Sequence, residues 1–425
     1  MLNLSEKLKP YRSLIQSFTS LSILQIANYL FPLIVLPYVV RVLGPAKYGL
    51  INFAAAFIAY FSLICDYGFS LSGTKAVAQI RDDKIKLSRT FSVILSIKLI
   101  FLVITFLVLI LMLITIPFFN KNWDLYLLSY GFVIGSVLFP NWFYQGMEQM
   151  KYITIIQVLI RCISTILIFV LIKAESDFLL LVLLNSSAQI LIGMLGQLTA
   201  LYKFNIKFLF PHLNEIKFQL KEGWNIFQSM IAINICTTSN TFILGLFANE
   251  TIVGYFSAAD KIRIAFQGVI MVLNQSVFPF VNNLLKVSYE KFISFIINFL
   301  KIQFILGFSI SFLLFIFSYQ VTDLILGEKY MESGIILRII SVIPFFSSLS
   351  NVFGIQIMIP LGFEKAFNKI LSTASILHIL VLLLLIPNYF ALGVSLTADI
   401  TELIVAIATV WYIVKKQIFE RNIYG

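Results

Sequence analysis

The sequence predicts an all-α polytopic membrane protein of about twelve transmembrane helices, arranged in two six-helix bundles. Three observations predict this fold class. Hydrophobic residues fill 60% of the 425 positions and charged residues only 12%, which is about half the charged share of an ordinary soluble domain. The apolar residues form runs long enough to span a bilayer, and the basic residues concentrate in every second loop between those runs.

The apolar runs define the predicted helices in order. A transmembrane helix needs about 20 mostly apolar residues. Twelve runs qualify, at roughly 17–40, 50–69, 91–118, 125–144, 152–172, 178–201, 226–247, 253–281, 292–317, 335–359, 370–386 and 389–414. Their length and the lack of strict alternation favour helices over barrel strands. The first run is too long for a cleavable signal peptide, so we expect it to remain in the mature chain.

The basic residues indicate the orientation of these spans. With a cytoplasmic N-terminus, 20 of the 31 Lys and Arg residues fall in predicted cytoplasmic segments, 5 on the opposite side and 6 within spans. This bias follows the positive-inside rule and predicts an even span count with both termini in the cytoplasm. The net charge of +11 is then explained by basic residues in the cytoplasmic loops, which set the orientation of the spans. No nucleic acid partner is expected.

A basic loop after the sixth span predicts the domain organisation. The loop 202–225 contains Pro211 and separates an N-terminal six-helix bundle, 1–201, from a C-terminal one, 226–425. Weakly similar motifs open the two halves: Leu43-Gly44 with Tyr48-Gly49, and Leu244-Gly245 with Gly254-Tyr255. Transporters built from parallel repeats bind substrate between the halves.

Basic residues inside the spans are the first candidate site residues, because buried charges are costly and usually face a partner or a polar cavity. Arg161 lies about nine residues into its span, near mid-depth at about 1.5 Å per residue, so we predict a lumen position. Lys261 and Arg263 follow Asp260, which can neutralise one of them. Arg338 lies nearer a span end, as do Lys98 and Lys301, and these three either line a lumen or snorkel to the interface.

Acidic residues inside the spans are candidates for ion coupling. Asp399 and Glu402 are three residues apart and share a helix face. They either carry protons or ions, or pair structurally with Arg161 or another cation. Asp66, near the cytoplasmic end of the second span, either joins this role or only caps its helix. Prolines interrupt the first, eighth and tenth spans, at 32, 37, 279 and 344, and permit bending there.

The sequence lacks the signatures of an enzyme. The stretch 68–75 resembles a phosphate loop, but its last residues are in the wrong order and no soluble domain surrounds it. His212 and His378 are isolated, and the three cysteines lack metal-ligand spacing. No nucleophile and base can be assigned, so we expect no catalytic group, no metal and no cofactor.

Four segments carry a resemblance to a known family. They are PLIVLPYVVRVLGPAKYG at 32–49, YGF at 67–69 with GT at 73–74, PNWFYQGMEQMK at 140–151, and GIQIMIP at 354–360. In this order they resemble the first helix, the second-helix end, the loop after helix four and the helix-ten exit of the Wzx-type polysaccharide flippases. These belong to the multidrug/oligosaccharidyl-lipid/polysaccharide exporter superfamily.

The resemblance implies a function and a site. It implies translocation of undecaprenyl-pyrophosphate-linked O-antigen or capsule units from the cytoplasmic to the periplasmic leaflet, by alternating access of two bundles around a central cavity in the bacterial inner membrane. The implied partners are that lipid-linked oligosaccharide, membrane lipids, and a polysaccharide polymerase with its chain-length regulator. The cations that map onto the substrate-binding lumen are Arg161, Lys261, Arg263, Arg338 and Lys98, with Asp399, Glu402 and Asp66 as ion-coupling candidates. Asn240 departs from the family, where an acidic residue is common, which places ion coupling at that position in doubt.

Two other functions stay open at this point. An ion-coupled multidrug exporter of the same fold would need an acidic, aromatic cavity, whereas the charges inside the spans are mainly cationic. A membrane polysaccharide polymerase would need a large external loop, and the predicted outside loops are short. A cationic lumen suits an anionic pyrophosphate, which arginine grips through several donors.

Overall fold

The computed structural model describes residues 12–418, and its regular structure there is helical. The first part of the chain forms eight α-helices: α1 Arg12–Asp66, α2 Phe69–Ile80, α3 Lys84–Thr115, α4 Pro117–Asn120, α5 Trp123–Leu138, α6 Asn141–Gly146, α7 Met150–Leu171 and α8 Phe178–Lys203. The second part forms eight more: α9 Leu213–Thr237, α10 Ser239–Phe247, α11 Glu250–Val287, α12 Tyr289–Ile316, α13 Ser318–Leu326, α14 Glu332–Ile340, α15 Ile343–Asn351 and α16 Glu364–Lys415. Short 3₁₀ turns at Glu175–Asp177 and Glu328–Tyr330 and a π-helix at Val352–Met358 complete the described elements.

The predicted membrane-spanning helices are present. Within residues 12–418, nine helical stretches are long and apolar enough to cross a bilayer: Leu30–Ile80, Lys84–Thr115, Trp123–Gly146, Met150–Leu171, Glu175–Lys203, Glu250–Val287, Tyr289–Ile316, Glu332–Met358 and Glu364–Lys415. The first and the last, of 51 and 52 residues, each cover two predicted runs. The remaining run, 226–247, lies on α9 and α10. The all-α membrane fold is therefore confirmed. The predicted position of the two termini rests partly on Lys7, Lys9 and Arg421, which lie outside the described residues.

The two longest helices bend at residues other than their prolines. Helix α1 is non-helical at Gly44, where φ is 71°, although Pro32, Pro37 and Pro45 all lie inside it. Helix α16 is non-helical at Phe390, three residues after Pro387. Pro344 lies in the first turn of α15, a position where its missing N–H costs nothing. The predicted interruption of the tenth span lies just before it, because α14 ends at Ile340 and α15 begins at Ile343.

The first compact unit consists of the residues up to Phe31 together with Phe53–Ile231. Its main core is aromatic and includes Phe91, Trp142 and Phe143. Helices α5 and α8 approach closely because Gly135 and Gly193 face each other: a Cβ on either would collide with backbone atoms of the other helix. In a membrane the hydrophobic effect does not drive helices together, so helix association depends on close van der Waals packing. Small residues at the interface permit that packing.

The second compact unit consists of Pro32–Asn52 and the residues from Ala232 on. Its core includes Phe292, Ile296 and Met358. Residues 32–52 belong here because α1 packs against the first turn of α11, where Gly49 touches the Glu250 carbonyl and Gly254 touches that of Pro45. This grouping differs from the predicted one, which placed 32–52 in the N-terminal bundle and ended that bundle at 201. The motifs predicted as repeat markers, around Gly49 and Gly254, thus contact each other.

Candidate functional site

Arg161 lies on α7 and is half-buried in the first unit. Its Nη1 donates a hydrogen bond to Oδ1 of Asn28 on α1. Asn28 is neutral, and among the described residues no carboxylate lies within ion-pair distance of Arg161. A guanidinium carries five N–H donors, and the bond to Asn28 uses one of them.

Lys98 is the other predicted lumen cation of the first unit, and it is paired. Its side chain is 4% exposed, and Nζ lies 3.6 Å from Oδ1 of Asp66. The second oxygen of Asp66 accepts the Ser70 amide at 3.4 Å, at the start of α2. Asp66 therefore neutralises the charge of Lys98 and also accepts a hydrogen bond at the first turn of α2. The sequence did not indicate that Asp66 and Lys98 are partners.

Arg263 on α11 lies at the centre of a polar network in the second unit. Its Nη2 and Nε lie 2.7 and 2.8 Å from Oδ1 of Asp260, and Nη1 donates to Oε1 of Gln267. The amide of Gln267 in turn donates to Ser347 Oγ on α15 at 2.7 Å. Asp260 thus neutralises Arg263 and not Lys261. The sequence had left open which of these two cations Asp260 pairs with.

The predicted ion-coupling pair lies beside this network. Asp399 and Glu402 share one face of α16, and Arg263 is close enough to interact electrostatically with both. Oδ1 of Asp399 is buried and has no hydrogen-bond partner among the described residues. Arg263 belongs to the same unit as both carboxylates.

Lys261 and Arg338 lie outside this network. Both side chains are exposed. The guanidinium of Arg338, on α14, lies over the ring of Phe315 on α12, 4.7 Å from its centroid. A cation over an aromatic face is stabilised without an acidic partner, so Arg338 keeps its charge unneutralised.

His378, which looks isolated in the sequence, forms a polar cluster with Thr401 and Asn240. The ring of His378 on α16 is 1% exposed. Its Nδ1 lies 2.8 Å from Thr401 Oγ1 on the same long helix, and its Nε2 lies 2.9 Å from Asn240 Oδ1 on α10. Asn240 is the position that departs from the family, so the structure places an imidazole against it. Asn240 and His378 are 138 positions apart, and no local spacing signals their contact.

No metal centre is assigned. Over the described part of the chain, no group of three or more His, Cys, Asp and Glu side chains is arranged to hold a metal ion. The groups described above include an arginine without an ion-pair partner among the described residues, two ion pairs, a pair of carboxylates and a buried histidine. Charged groups placed inside spans usually face a partner or a polar cavity.

Comparison with known proteins assigns the family. Residues 14–285 match a family described as polysaccharide biosynthesis protein. The chain belongs to this family. Two relatives, each named "Putative O-antigen transporter", come from Escherichia coli strain K12 and from Shigella dysenteriae. The first is 30% identical over 393 residues, 92% of this chain and 95% of the relative, and the second is 29% identical over 383 residues, 90% and 95%.

Solved structures of two transporters share the fold of this member of the polysaccharide biosynthesis family. An inward-facing multidrug resistance MATE family transporter of the MOP superfamily aligns with a TM-score of 0.72 at 16% identity, over 96% of this chain and 99% of that one. The lipid II flippase MurJ, in an inward closed conformation, aligns with a TM-score of 0.68 at 13% identity, over 95% and 87%. The family match and the two relatives confirm the predicted resemblance to O-antigen and polysaccharide transporters, and the solved structures share the fold. The relatives are named as transporters, which confirms the predicted class of transporter as opposed to enzyme.

Proposed function

We propose that this protein is a flippase for an undecaprenyl-pyrophosphate-linked O-antigen or capsule oligosaccharide. It moves this cargo from the cytoplasmic to the periplasmic leaflet of the bacterial inner membrane by alternating access. The proposal is supported by two relatives named as O-antigen transporters that match nearly the whole chain. It is also supported by the likeness to a lipid II flippase, whose cargo is by name a lipid.

The structural observation that carries the proposal is the unpaired guanidinium of Arg161. A pyrophosphate is an anion that several N–H donors can hold at once, and arginine presents such donors in a fixed plane. Because Asn28 uses one donor and adds no charge, Arg161 is available to the cargo. Lys261 and Arg338 form no ion pair with a described residue and offer further positive charge, whereas Lys98 and Arg263 have acidic partners.

The paired cations suit a second role, the coupling of transport to an ion or proton gradient. Asp399 and Glu402 interact with Arg263, and Asp66 interacts with Lys98. A proton or cation that binds such a carboxylate weakens its attraction to the arginine or lysine, and so alters contacts between helices. We propose Asp399 and Glu402 as the main coupling residues and Asp66 as an additional one.

The proposed topology places both termini in the cytoplasm, in agreement with the distribution of basic residues. The cargo then leaves toward the periplasmic side. The proteins that would accept it there are a polysaccharide polymerase and its chain-length regulator.

The test is cargo translocation by purified protein in liposomes that contain the lipid-linked oligosaccharide, with a lectin reporting the sugar on the far leaflet. We expect Arg161→Ala to reduce the initial rate roughly 10- to 100-fold, the loss of a charge-assisted contact worth about 1.5–3 kcal/mol. Arg161→Lys should lose part of the rate, since lysine keeps the positive charge but lacks the planar array of N–H donors that arginine presents. Lys121→Ala, at an exposed position, is the control.

An unchanged rate in Arg161→Ala, at equal protein levels, would remove Arg161 from the cargo site. A multidrug exporter is the rival function, because a MATE transporter is among the structural neighbours. A drug-sensitivity panel separates the two: drug resistance on overexpression, together with no translocation of the lipid-linked sugar by the wild type, would replace the flippase with an exporter.

A further inference from the structure

Residues 202–221, which join the end of α8 to the start of α9, expose large apolar side chains in a polar part of the chain. Tyr202 is 79% exposed, Phe210 88%, Leu213 75% and Phe218 60%, and Phe208 is exposed as well. The segment lies between the predicted spans 178–201 and 226–247. Apolar groups this exposed at the edge of a span mark a contact surface, and aromatic rings are typical of the headgroup region of a bilayer.

The same segment is strongly basic. It contains Lys203, Lys207, Lys217 and Lys221, all exposed, and a single carboxylate, Glu215. Glu215 does not neutralise these lysines, because its Oε1 is bonded to Arg89 on α3 and its Oε2 accepts the backbone N–H of His212 at 2.9 Å. Glu222 follows directly after the segment, and none of the four lysines forms an ion pair with a described residue.

The first turns of α9 place charge and apolar surface on one face. Leu213, Lys217 and Lys221 are spaced four residues apart, and Phe218 lies beside them, all exposed. The opposite face turns inward, where Ile216 and Leu220 pack against the aromatic core of the first unit. A helix with cations and aromatic groups together on its outer face is suited to lie in a membrane interface that carries negative charge.

We infer that residues 202–221 bind the anionic phospholipid headgroups of the membrane surface. The lysines contact the phosphates, and the rings of Phe208, Phe210 and Phe218 insert between the headgroups. A neighbouring cavity of about 330 Å³, lined by Arg89, Glu215 and Phe218 among others, is a poorer place for an anion, because its arginine is already paired. The surface therefore recognises anionic lipid through its outer face.

The experiment titrates the purified full-length protein, in neutral detergent, with phosphatidylglycerol or phosphatidylcholine and follows retained lipid by native mass spectrometry. We expect the wild type to prefer phosphatidylglycerol, with a preference that weakens as salt is raised. Replacing the four lysines by glutamine (K203Q/K207Q/K217Q/K221Q) should weaken phosphatidylglycerol binding at least about tenfold, because each lysine near an anionic surface contributes to attraction.

The matched control removes four exposed lysines from the predicted cytoplasmic segments of the second unit (K286Q/K291Q/K365Q/K369Q), where the charge change is identical. It should keep the wild-type preference. The four-arginine variant of the 202–221 lysines should keep it too, which shows that the charge and not the fold is tested. Replacing Phe208, Phe210 and Phe218 by Ser should weaken binding of both lipids.

No preference of the wild type for phosphatidylglycerol, or an equal loss in the two glutamine variants, would overturn the inference. Because lipid binding is measured without cargo, the result stands apart from the proposed function. Wild-type binding of a soluble protein through 202–221 without lipid preference would also overturn it.

Discussion

Two arginines inside the spans differ in how their charge is balanced, and this difference decides what each can do. Arg263 is bonded to Asp260 and Gln267 and interacts with two further carboxylates. Arg161 donates a hydrogen bond to the neutral amide of Asn28 and forms no ion pair with a described residue. This difference is why we propose a coupling role for the network around Arg263 and a cargo-binding role for Arg161.

Several buried amides of the second unit lack hydrogen-bond partners. Gln303 on α12 is fully buried, and no described residue pairs with its Nε2 or Oε1. Both side-chain atoms of Asn274 are likewise unpaired, although its backbone carbonyl accepts a bond from Gln356 Nε2 at 2.9 Å. Gln356 belongs to the π-helix, a geometry that is frequent at functional sites.

At Gln303 the expected effect of substitution is stabilisation. Gln303→Leu keeps a similar volume and removes two unsatisfied polar atoms, each of which costs about 1–3 kcal/mol when buried. The melting temperature of the purified protein in detergent should rise. Gln356→Leu is the comparison, since it deletes a real hydrogen bond and should gain less or lose stability. A lower melting temperature for Gln303→Leu would show that Gln303 has a polar partner in the native protein.

At the scale of elements, the contact between α1 and α11 depends on two glycines. A Cβ on Gly254 would collide with the backbone carbonyl of Pro45. Gly254→Ala should therefore destabilise the protein by about 1–3 kcal/mol through overpacking, although alanine favours a helix by about 1 kcal/mol. Thermal unfolding measures the net effect. Ala55→Ser, which adds one heavy atom at an exposed position of α1, is the control. An increase in stability of Gly254→Ala would contradict the close approach.

The start of α9 should stabilise the protein in a pH-dependent way. The hydrogen bond from Arg89 lowers the pKa of the Glu215 carboxyl below its ordinary value, and the His212 amide adds to this. A depressed pKa stabilises the fold above the unfolded value of about 4.3, and this contribution is lost as pH falls through the folded pKa. Thermal unfolding should show Glu215→Gln less stable than wild type at pH 7, with the difference shrinking below about pH 4. An equal difference at both pH values would show that the carboxylate charge does not matter.

The sequence predicts the helices of this fold better than their irregularities. The apolar runs identify the spans because lipid exposure demands about 20 apolar residues in a row. The bends at Gly44 and Phe390 and the π-helix were not predicted, since they depend on packing against distant helices and not on local composition. Of the four prolines that were expected to permit bending, Pro32 and Pro37 lie in a helix that bends, but the bend is at Gly44, and no predicted proline lies in α16.

The candidate site shows the same division. Asp260 and Arg263 are three residues apart, so their pairing could be anticipated from helix geometry. Arg161, Lys98 and His378 each contact a residue from another part of the chain, 133, 32 and 138 positions away respectively. Helical periodicity cannot predict contacts over such separations. Sequence analysis therefore located the charges but not which of them are neutralised.

At the scale of the whole molecule, cargo binding and energy coupling are assigned to different residues and should separate by mutation. Asp399→Asn and Glu402→Gln remove carboxylates that interact with Arg263 but leave Arg161 intact. In liposomes with an imposed proton or sodium gradient, we expect these variants to lose the stimulation of translocation by the gradient, while cargo binding stays within about twofold of wild type. Arg161→Ala should show the opposite pattern, with weak binding and a residual rate that still responds to the gradient.

The control for this separation is Asp323→Asn, which removes an exposed carboxylate from the second unit and should behave as wild type. A carboxylate that interacts with an arginine inside a span contributes far more electrostatic energy than an exposed one, because water screens the charge of the latter. If Asp399→Asn and Glu402→Gln both kept the full response to either gradient, coupling would have to reside elsewhere, and Asp66 beside Lys98 would be the next pair to replace. If instead both variants lost cargo binding as severely as Arg161→Ala, the carboxylates would act by holding Arg263 in a cargo site, and one network would serve both roles.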